Sequence, residues 1–171
     1  MASYFVAARC PGLHGLSATT IRRASSTACL LGETLLPQQC QDDLDDLLNM
    51  TLSFARQMLE KQGEFYPFGA VMSTSGKGGL LGADPGQCEH PASAVVLATM
   101  LGGIRDHRAD YRAVATCFDV RLPDSDAVRV ELEHLEGQAL AVLLPYKKKR
   151  FGRGVEYGEL RGATADRRIW S

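Results

Sequence analysis

Residues 127–146 read AVRVELEHLEGQALAVLLPY and describe two adjacent β-strands joined by a turn. In the first strand, apolar residues alternate with charged ones from Val128 to Glu133, and His134 and Leu135 follow. A period of two is typical of a strand that is buried on one face and exposed on the other. A tight turn at Glu136 and Gly137 predicts an antiparallel hairpin, because glycine adopts the positive φ that such turns need.

The return strand is apolar on both faces. A two-residue turn would place Leu132 opposite Ala141 and Val130 opposite Leu143. On the other face, which carries the charged residues of the first strand, the return strand would still be apolar at three positions: Leu140, Val142 and Leu144. A strand of this kind is usually central, so something must cover its second face. The candidates are the N-terminal segment, a second copy of the chain and a partner protein.

Composition narrows the class of protein. The chain has 171 residues, of which 45% are hydrophobic and 23% charged, and a net charge of -1, which fits one ordinary soluble domain. No apolar run reaches the ~20 residues of a membrane-spanning helix. Near-neutral charge argues against a general nucleic-acid binder. Five cysteines without close pairs favour reduced thiols over a disulfide framework, and we expect a cytoplasmic protein.

The first forty residues differ from the rest of the chain. No acidic residue occurs from Met1 to Gly32, whereas Arg9, Arg22 and Arg23 lie among many small residues. This composition is typical of an organellar transit peptide. The plainer interpretation is an unstructured extension. A start codon assigned too far upstream is one source of such an extension. We expect residues 1–40 to be a poorly ordered leader and residues 41–171 to be a single α+β domain.

The remaining pattern predicts the element order α-ββ-α-ββββ. Leucines recur at helical spacing after the aspartates at residues 42–46, and Gly63 ends this helix. A second helix follows Pro91. The predicted strands lie at residues 65–74, 80–83, 113–122, 127–135, 139–146 and 155–160, with 167–170 as a candidate edge strand. We predict an α+β fold with a single antiparallel sheet of five to seven strands and two helices packed on one face.

Four short segments are similar to small uncharacterised bacterial α+β proteins. The segments are EFYPFGA at 64–70, VELEH at 130–134, LPY at 144–146 and EYGEL at 156–160. The resemblance spans roughly residues 42–170. It implies the α+β fold and a bacterial cytoplasmic setting. In a bacterium residues 1–40 would not be an organellar transit peptide. It implies no catalytic residue, because that group has no established activity.

The sequence contains candidate metal ligands but no complete set. Glu131, Glu133 and His134 are close in sequence, yet strand geometry places His134 on the face opposite the two carboxylates. We therefore expect a solvated Glu face with His134 at the sheet margin. The residues at 88–90, Cys-Glu-His, together with His107, lack the second close pair of a structural zinc site. We predict no metal and no cofactor.

Motifs for catalysis are also incomplete. The segment STSGKGG at residues 73–79 fails the spacing of a Walker loop and is better interpreted as a hairpin turn. Cys117 is expected to be a small residue inside a strand, since nothing marks a base partnered to it. We name no catalytic residue, and the pattern leans against an enzyme.

A basic loop follows the apolar strand. Five positive charges surround one aromatic ring, at Lys147, Lys148, Lys149, Arg150, Phe151 and Arg153. Such a loop is commonly just a solvated connection between strands. It would also suit an acidic protein surface or a nucleic-acid backbone, with the ring as a stacking plane. The near-neutral net charge favours the protein.

Three functional hypotheses follow. The first is a non-enzymatic intracellular protein-binding module, of adaptor, chaperone-like or inhibitor type, that contacts a partner or a second copy through its sheet and basic loop. The second is a small-molecule-binding protein or enzyme with a pocket between helix and sheet, lined by Tyr66, Phe68, Glu131, Glu133 and Tyr157. The third is nucleic-acid binding through residues 147–153.

Overall fold

The computed structural model describes residues 4–6, 37–83, 91–149 and 154–171, with only the backbone at 4–6. These residues form two α-helices and eight β-strands: β1 Tyr4–Val6, α1 Gln38–Gln62, β2 Phe68–Ser73, β3 Gly78–Ala83, α2 Ser93–Asp106, β4 Tyr111–Arg121, β5 Asp126–His134, β6 Ala139–Lys148, β7 Val155–Tyr157 and β8 Arg161–Ala163. A 3-10 turn, Arg108–Asp110, precedes β4. The predicted α+β fold is confirmed.

The strands form one antiparallel sheet in the order β1-β3-β2-β4-β5-β6-β7. Strand β8 lies on the same edge of β6 as β7, but further along it, with Ala141 opposite Ala163. The single antiparallel sheet is therefore confirmed, with β1 and β8 as additions to the predicted strands. Residues 167–170, the candidate edge strand, form no strand.

The boundaries of α1 differ from the prediction at one end only. Gly63 ends the helix as predicted, in the left-handed conformation with φ +78°, and its N–H bonds the carbonyl of Leu59. The helix begins at Gln38, so its first turn contains no acidic residue. Asp43 lies in the second turn and is buried. The predicted leader includes β1, and its residues 7–36 lie outside the described part of the chain.

The two helices lie on opposite faces of the sheet, which corrects the prediction that both pack on one face. Ala70 of β2 belongs to the core under α1, whereas its neighbour Val71 belongs to the core with α2. Successive strand residues point to opposite faces. Gly69 makes room for α2, because a Cβ there would lie 3.1 Å from Met100 Sδ. A helix is needed on each side because β2 is buried along almost its whole length.

The β5–β6 hairpin has a register one residue away from the predicted one. Leu132 pairs with Leu140 and Val130 with Val142. The turn holds three residues rather than two, since the N–H of His134 bonds the carbonyl of Gln138 and Gly137 adopts φ +105°. A shift of one residue exchanges the faces of a strand. The leucines and valine at 140, 142 and 144 therefore face α1, not the charged residues of β5.

The second face of the central strands is covered by the chain itself. Helix α2 packs there with Val71 and Val114, and Ile169 from the C-terminal segment is buried in the same cluster. This cover lies over β2 and β4, and β6, the strand for which a cover was predicted, contributes no residue to this cluster. No helix in the described residues is long and apolar enough to cross a membrane.

Candidate functional site

The carboxylates of β5 bind the C-terminal segment instead of facing solvent. The Glu133 carboxylate accepts three backbone N–H groups, from Arg168 at 2.8 Å and from Ile169 and Trp170 at 2.9 Å. Both Glu133 and Glu131 are buried, which corrects the expected solvated Glu face. A buried charge is tolerated when it is paired and hydrogen-bonded.

Glu131 adds ion pairs to this arrangement. Its carboxylate lies 2.8 Å from Arg129 Nε and 3.3 Å from Arg168 Nη1. We call Glu131, Glu133 and residues 167–170 the C-terminal clasp. The clasp uses the oxygens of both carboxylates to hold the chain, so its role is structural.

The five predicted pocket residues do not line one pocket. Phe68 lies in the core under α1, edge-on to the rings of Phe54 and Phe65. Glu131 and Glu133 face the other side of the sheet. Tyr66 is half exposed. Tyr157 lies on β7, with the Arg56 guanidinium 5.2 Å from its ring centre.

The described part of the basic loop lies beside a groove. Lys147 and Lys148 end β6, Lys149 follows, and all three are exposed. Lys148 and Lys149 line an open groove of about 590 Å³ with the end of α1, which contributes Glu60 and Lys61. We call this the basic groove. Arg150, Phe151 and Arg153 lie outside the described residues.

A polar cluster that the sequence did not predict lies on the α1 face. Arg112 of β4 donates to Asp43 Oδ1 at 2.6 Å, and the hydrogen bond with Asp43 raises the pKa of the guanidinium. Asp43 Oδ2 lies 3.5 Å from His134 Nε2 at the end of β5. The backbone N–H of Glu136 donates to His134 Nδ1 at 3.1 Å. We call Asp43, Arg112 and His134 the buried triad.

Cys40 lies next to the buried triad in the first turn of α1. Its Sγ, a ring nitrogen of His134 and a carboxylate oxygen of Glu136 all lie within 4.8 Å of one another. Cys40 and Asp43 share a helix face because they are three residues apart. That spacing and the closeness of His134 to Glu136 in the sequence were the local signals for the cluster. The approach of His134 to Cys40 is a tertiary contact.

The other candidate ligands do not form a cluster in the described chain. His134 points away from Glu131 and Glu133, as strand geometry predicts. His107 follows α2 at the surface, with Nδ1 3.8 Å from Asp110 Oδ2. Residues 88–90 lie outside the described ranges. The segment at residues 73–79 spans the β2–β3 turn, with Gly76 at φ +80°.

Cys117 is expected to react very slowly with thiol reagents. It is fully buried in β4, and burial, followed by the charge of Asp119, raises the pKa of its thiol far above the usual value. Only the thiolate is nucleophilic. In a variant that retains Cys117 as its sole cysteine, labelling by Ellman's reagent at pH 8 should therefore be limited by opening of the fold. Rapid labelling of the native protein would contradict this expectation, and the same variant in urea is the control.

The chain matches no protein-family model, no curated protein and no solved structure.

Proposed function

We propose that the protein is a binding module for an acidic protein segment, which docks on the basic groove. The observation that carries this proposal is the concentration of exposed cations at one place: Lys148 and Lys149 project beside Lys61, where α1 ends next to the β6–β7 connection. Glu60 contributes an opposite charge to the described lining, and Glu156, beside the groove, lies 3.8 Å from Lys149 Nζ.

The surroundings of the groove favour a macromolecule over a small substrate. The groove is open rather than enclosed, whereas small-molecule sites usually bury most of their ligand. Val155, which is half-buried, adds apolar surface to the lining above the buried Leu59. A segment in which acidic residues alternate with apolar ones would match both the charge and the apolar floor.

The two-sided apolar strand does not carry this proposal, because the observed register places Leu140, Val142 and Leu144 in the core under α1. The proposal rests instead on the basic groove. The setting proposed is the cytoplasm of a bacterium, where a reducing environment keeps thiols free. The unpaired Cys40 and Cys117 are consistent with it.

Binding should be measured by fluorescence anisotropy with a labelled acidic peptide that contains apolar residues. The double variant Lys148→Gln/Lys149→Gln should bind about tenfold more weakly, because exposed charge pairs contribute up to about 1 kcal/mol each. The matched control is Lys77→Gln/Arg108→Gln, which removes two exposed charges elsewhere and should leave binding unchanged.

Two results would count against the proposal. Equal losses in both double variants would mean that the peptide responds to overall charge. Tighter binding of a single-stranded RNA of the same charge, with a steep dependence on salt, would favour the nucleic-acid alternative.

A further inference from the structure

We propose that Cys40, His134 and Glu136 form a binding site for a divalent transition metal ion of the zinc type. The site lies on the α1 face and is separate from the basic groove. A thiol sulfur, an imidazole nitrogen and a carboxylate oxygen lie within 4.8 Å of one another. This mixture of sulfur, nitrogen and oxygen donors suits Zn²⁺ and Co²⁺ and does not suit Ca²⁺ or Mg²⁺, which prefer oxygen alone.

The orientation of the His134 ring identifies the nitrogen that would bind the ion. Nδ1 accepts the N–H of Glu136, so Nδ1 carries the lone pair and the ring proton lies on Nε2. Nε2 faces Asp43 Oδ2 at 3.5 Å. A metal-binding histidine commonly donates its other N–H to a carboxylate, which fixes the ring. Asp43 is thus a positioning residue, and Arg112 holds it from the other side.

Three buried atoms in this arrangement lack a conventional hydrogen bond: Arg112 Nε, His134 Nε2 and Asp43 Oδ2. The last two face each other. Both side chains are more than nine-tenths buried. Buried polar groups are normally satisfied, so such a pair requires an explanation. A cation on Nδ1 withdraws electron density from the ring and strengthens the Nε2–H donor, which would shorten its contact with Asp43.

The charges around Cys40 argue against a free nucleophilic thiol, and a bound cation would offset them. Burial, then Glu136, then Asp43 raise the pKa of the Cys40 thiol, whereas a reactive cysteine needs cationic neighbours. A divalent cation reverses this balance. Metal binding then replaces the thiol S–H bond by a sulfur–metal bond, and one proton passes to solvent.

The geometry leaves one coordination position open. Donor atoms around a tetrahedral zinc ion lie roughly 3.3–3.7 Å apart, as its bond lengths require. In the structure the separation of the three donor atoms is wider, at up to 4.8 Å. The Glu136 carboxylate can move closer to the other two donor atoms, because its side chain is exposed in the three-residue turn. The backbone N–H of Glu136 must then break its hydrogen bond to His134 Nδ1, so that Nδ1 can bind the ion. Three protein ligands leave a fourth position for water.

Cobalt titration of the full chain tests the site. Cys10, Cys29 and Cys88 are first replaced by serine, so that Cys40 and Cys117 are the remaining thiols. One equivalent of Co²⁺ should produce a sulfur-to-cobalt charge-transfer band in the near ultraviolet. Added Zn²⁺ should displace the Co²⁺ and remove the band. Cys40→Ser should abolish the band, and Cys117→Ala should retain it.

Glu136→Gln gives a second test that does not threaten the fold, because the side chain is exposed. It should weaken Co²⁺ binding by roughly tenfold or more, since even indirect partners of a metal change affinity by 10–100-fold. Glu60→Gln, an exposed carboxylate on α1, is the matched control and should leave affinity unchanged. Absence of the charge-transfer band, its persistence in Cys40→Ser, or equal effects of the two Glu variants would overturn the proposal.

Discussion

Replacing Glu133 by alanine is expected to lower the free energy of unfolding by about 3–5 kcal/mol, the range for breaking a buried charged interaction. The substitution leaves three backbone N–H groups, those of Arg168, Ile169 and Trp170, without their acceptor. Hydrogen bonds to a charged group contribute more than neutral ones, and buried donors that lose their acceptor add a desolvation cost. Urea unfolding measures the change.

The only tryptophan of the chain provides a local readout of the same variant. Trp170 belongs to the C-terminal clasp and packs against the cluster under α2. Its emission should shift to longer wavelength in Glu133→Ala before global unfolding, because the segment loses its attachment to the sheet.

Two further variants make the Glu133 test specific. Glu133→Gln keeps one oxygen acceptor and should lose about half as much stability as the alanine variant, since a neutral hydrogen bond is roughly half as strong as a charged one. Glu156→Ala removes an exposed carboxylate and should stay within about 0.5 kcal/mol of the parent protein. A Glu133→Ala variant as stable as Glu156→Ala would show that the clasp does not hold the segment.

Replacing Asp43 by alanine should cost a similar amount, about 3–5 kcal/mol, because it leaves a partner charge largely buried and unpaired. Arg112 Nη2 lies 2.6 Å from Asp43 Oδ1, and the Arg112 side chain is only 20% exposed. His134 loses its carboxylate at the same time. Chemical denaturation of the single variants, monitored by circular dichroism, measures the loss.

A double-mutant cycle separates the ion pair from the packing. The variant Asp43→Ala/Arg112→Met removes both charges and keeps an apolar chain at position 112. It should be more stable than Asp43→Ala alone, because no buried charge then lacks a partner. Asp46→Ala, an exposed aspartate on the same helix, is the control. Additive losses across the cycle would contradict a coupled pair.

Local patterns in the sequence predicted both helices and the strands β2 to β7, but not β1 or β8. The alternation at residues 128–134 predicted β5, and the glycine at position 63 predicted the end of α1. Both signals depend on neighbours a few residues away, where side-chain periodicity and backbone φ are set locally. The same periodicity correctly placed His134 on the face opposite Glu131 and Glu133.

The register of the hairpin was not predictable from the same signals. Glu136 and Gly137 are compatible with a two-residue turn, yet the turn contains three residues and Leu132 pairs with Leu140. The energy difference between such turns is small, whereas burying the apolar residues of β6 under α1 involves the whole strand. Core packing therefore decided the register of the hairpin. The register in turn decided that Leu140, Val142 and Leu144 of β6 face α1.

By itself the sequence determined that this chain forms two helices and an antiparallel sheet, because periodicity and turn residues act over a few positions. Only the tertiary structure decided what the charged residues do. Arg112 and Asp43 are 69 positions apart, and Glu133 accepts N–H groups from 35 to 37 positions away. Such pairs leave no periodic trace in the sequence, because they form only when packing brings separate elements together and burial makes each unpaired charge costly.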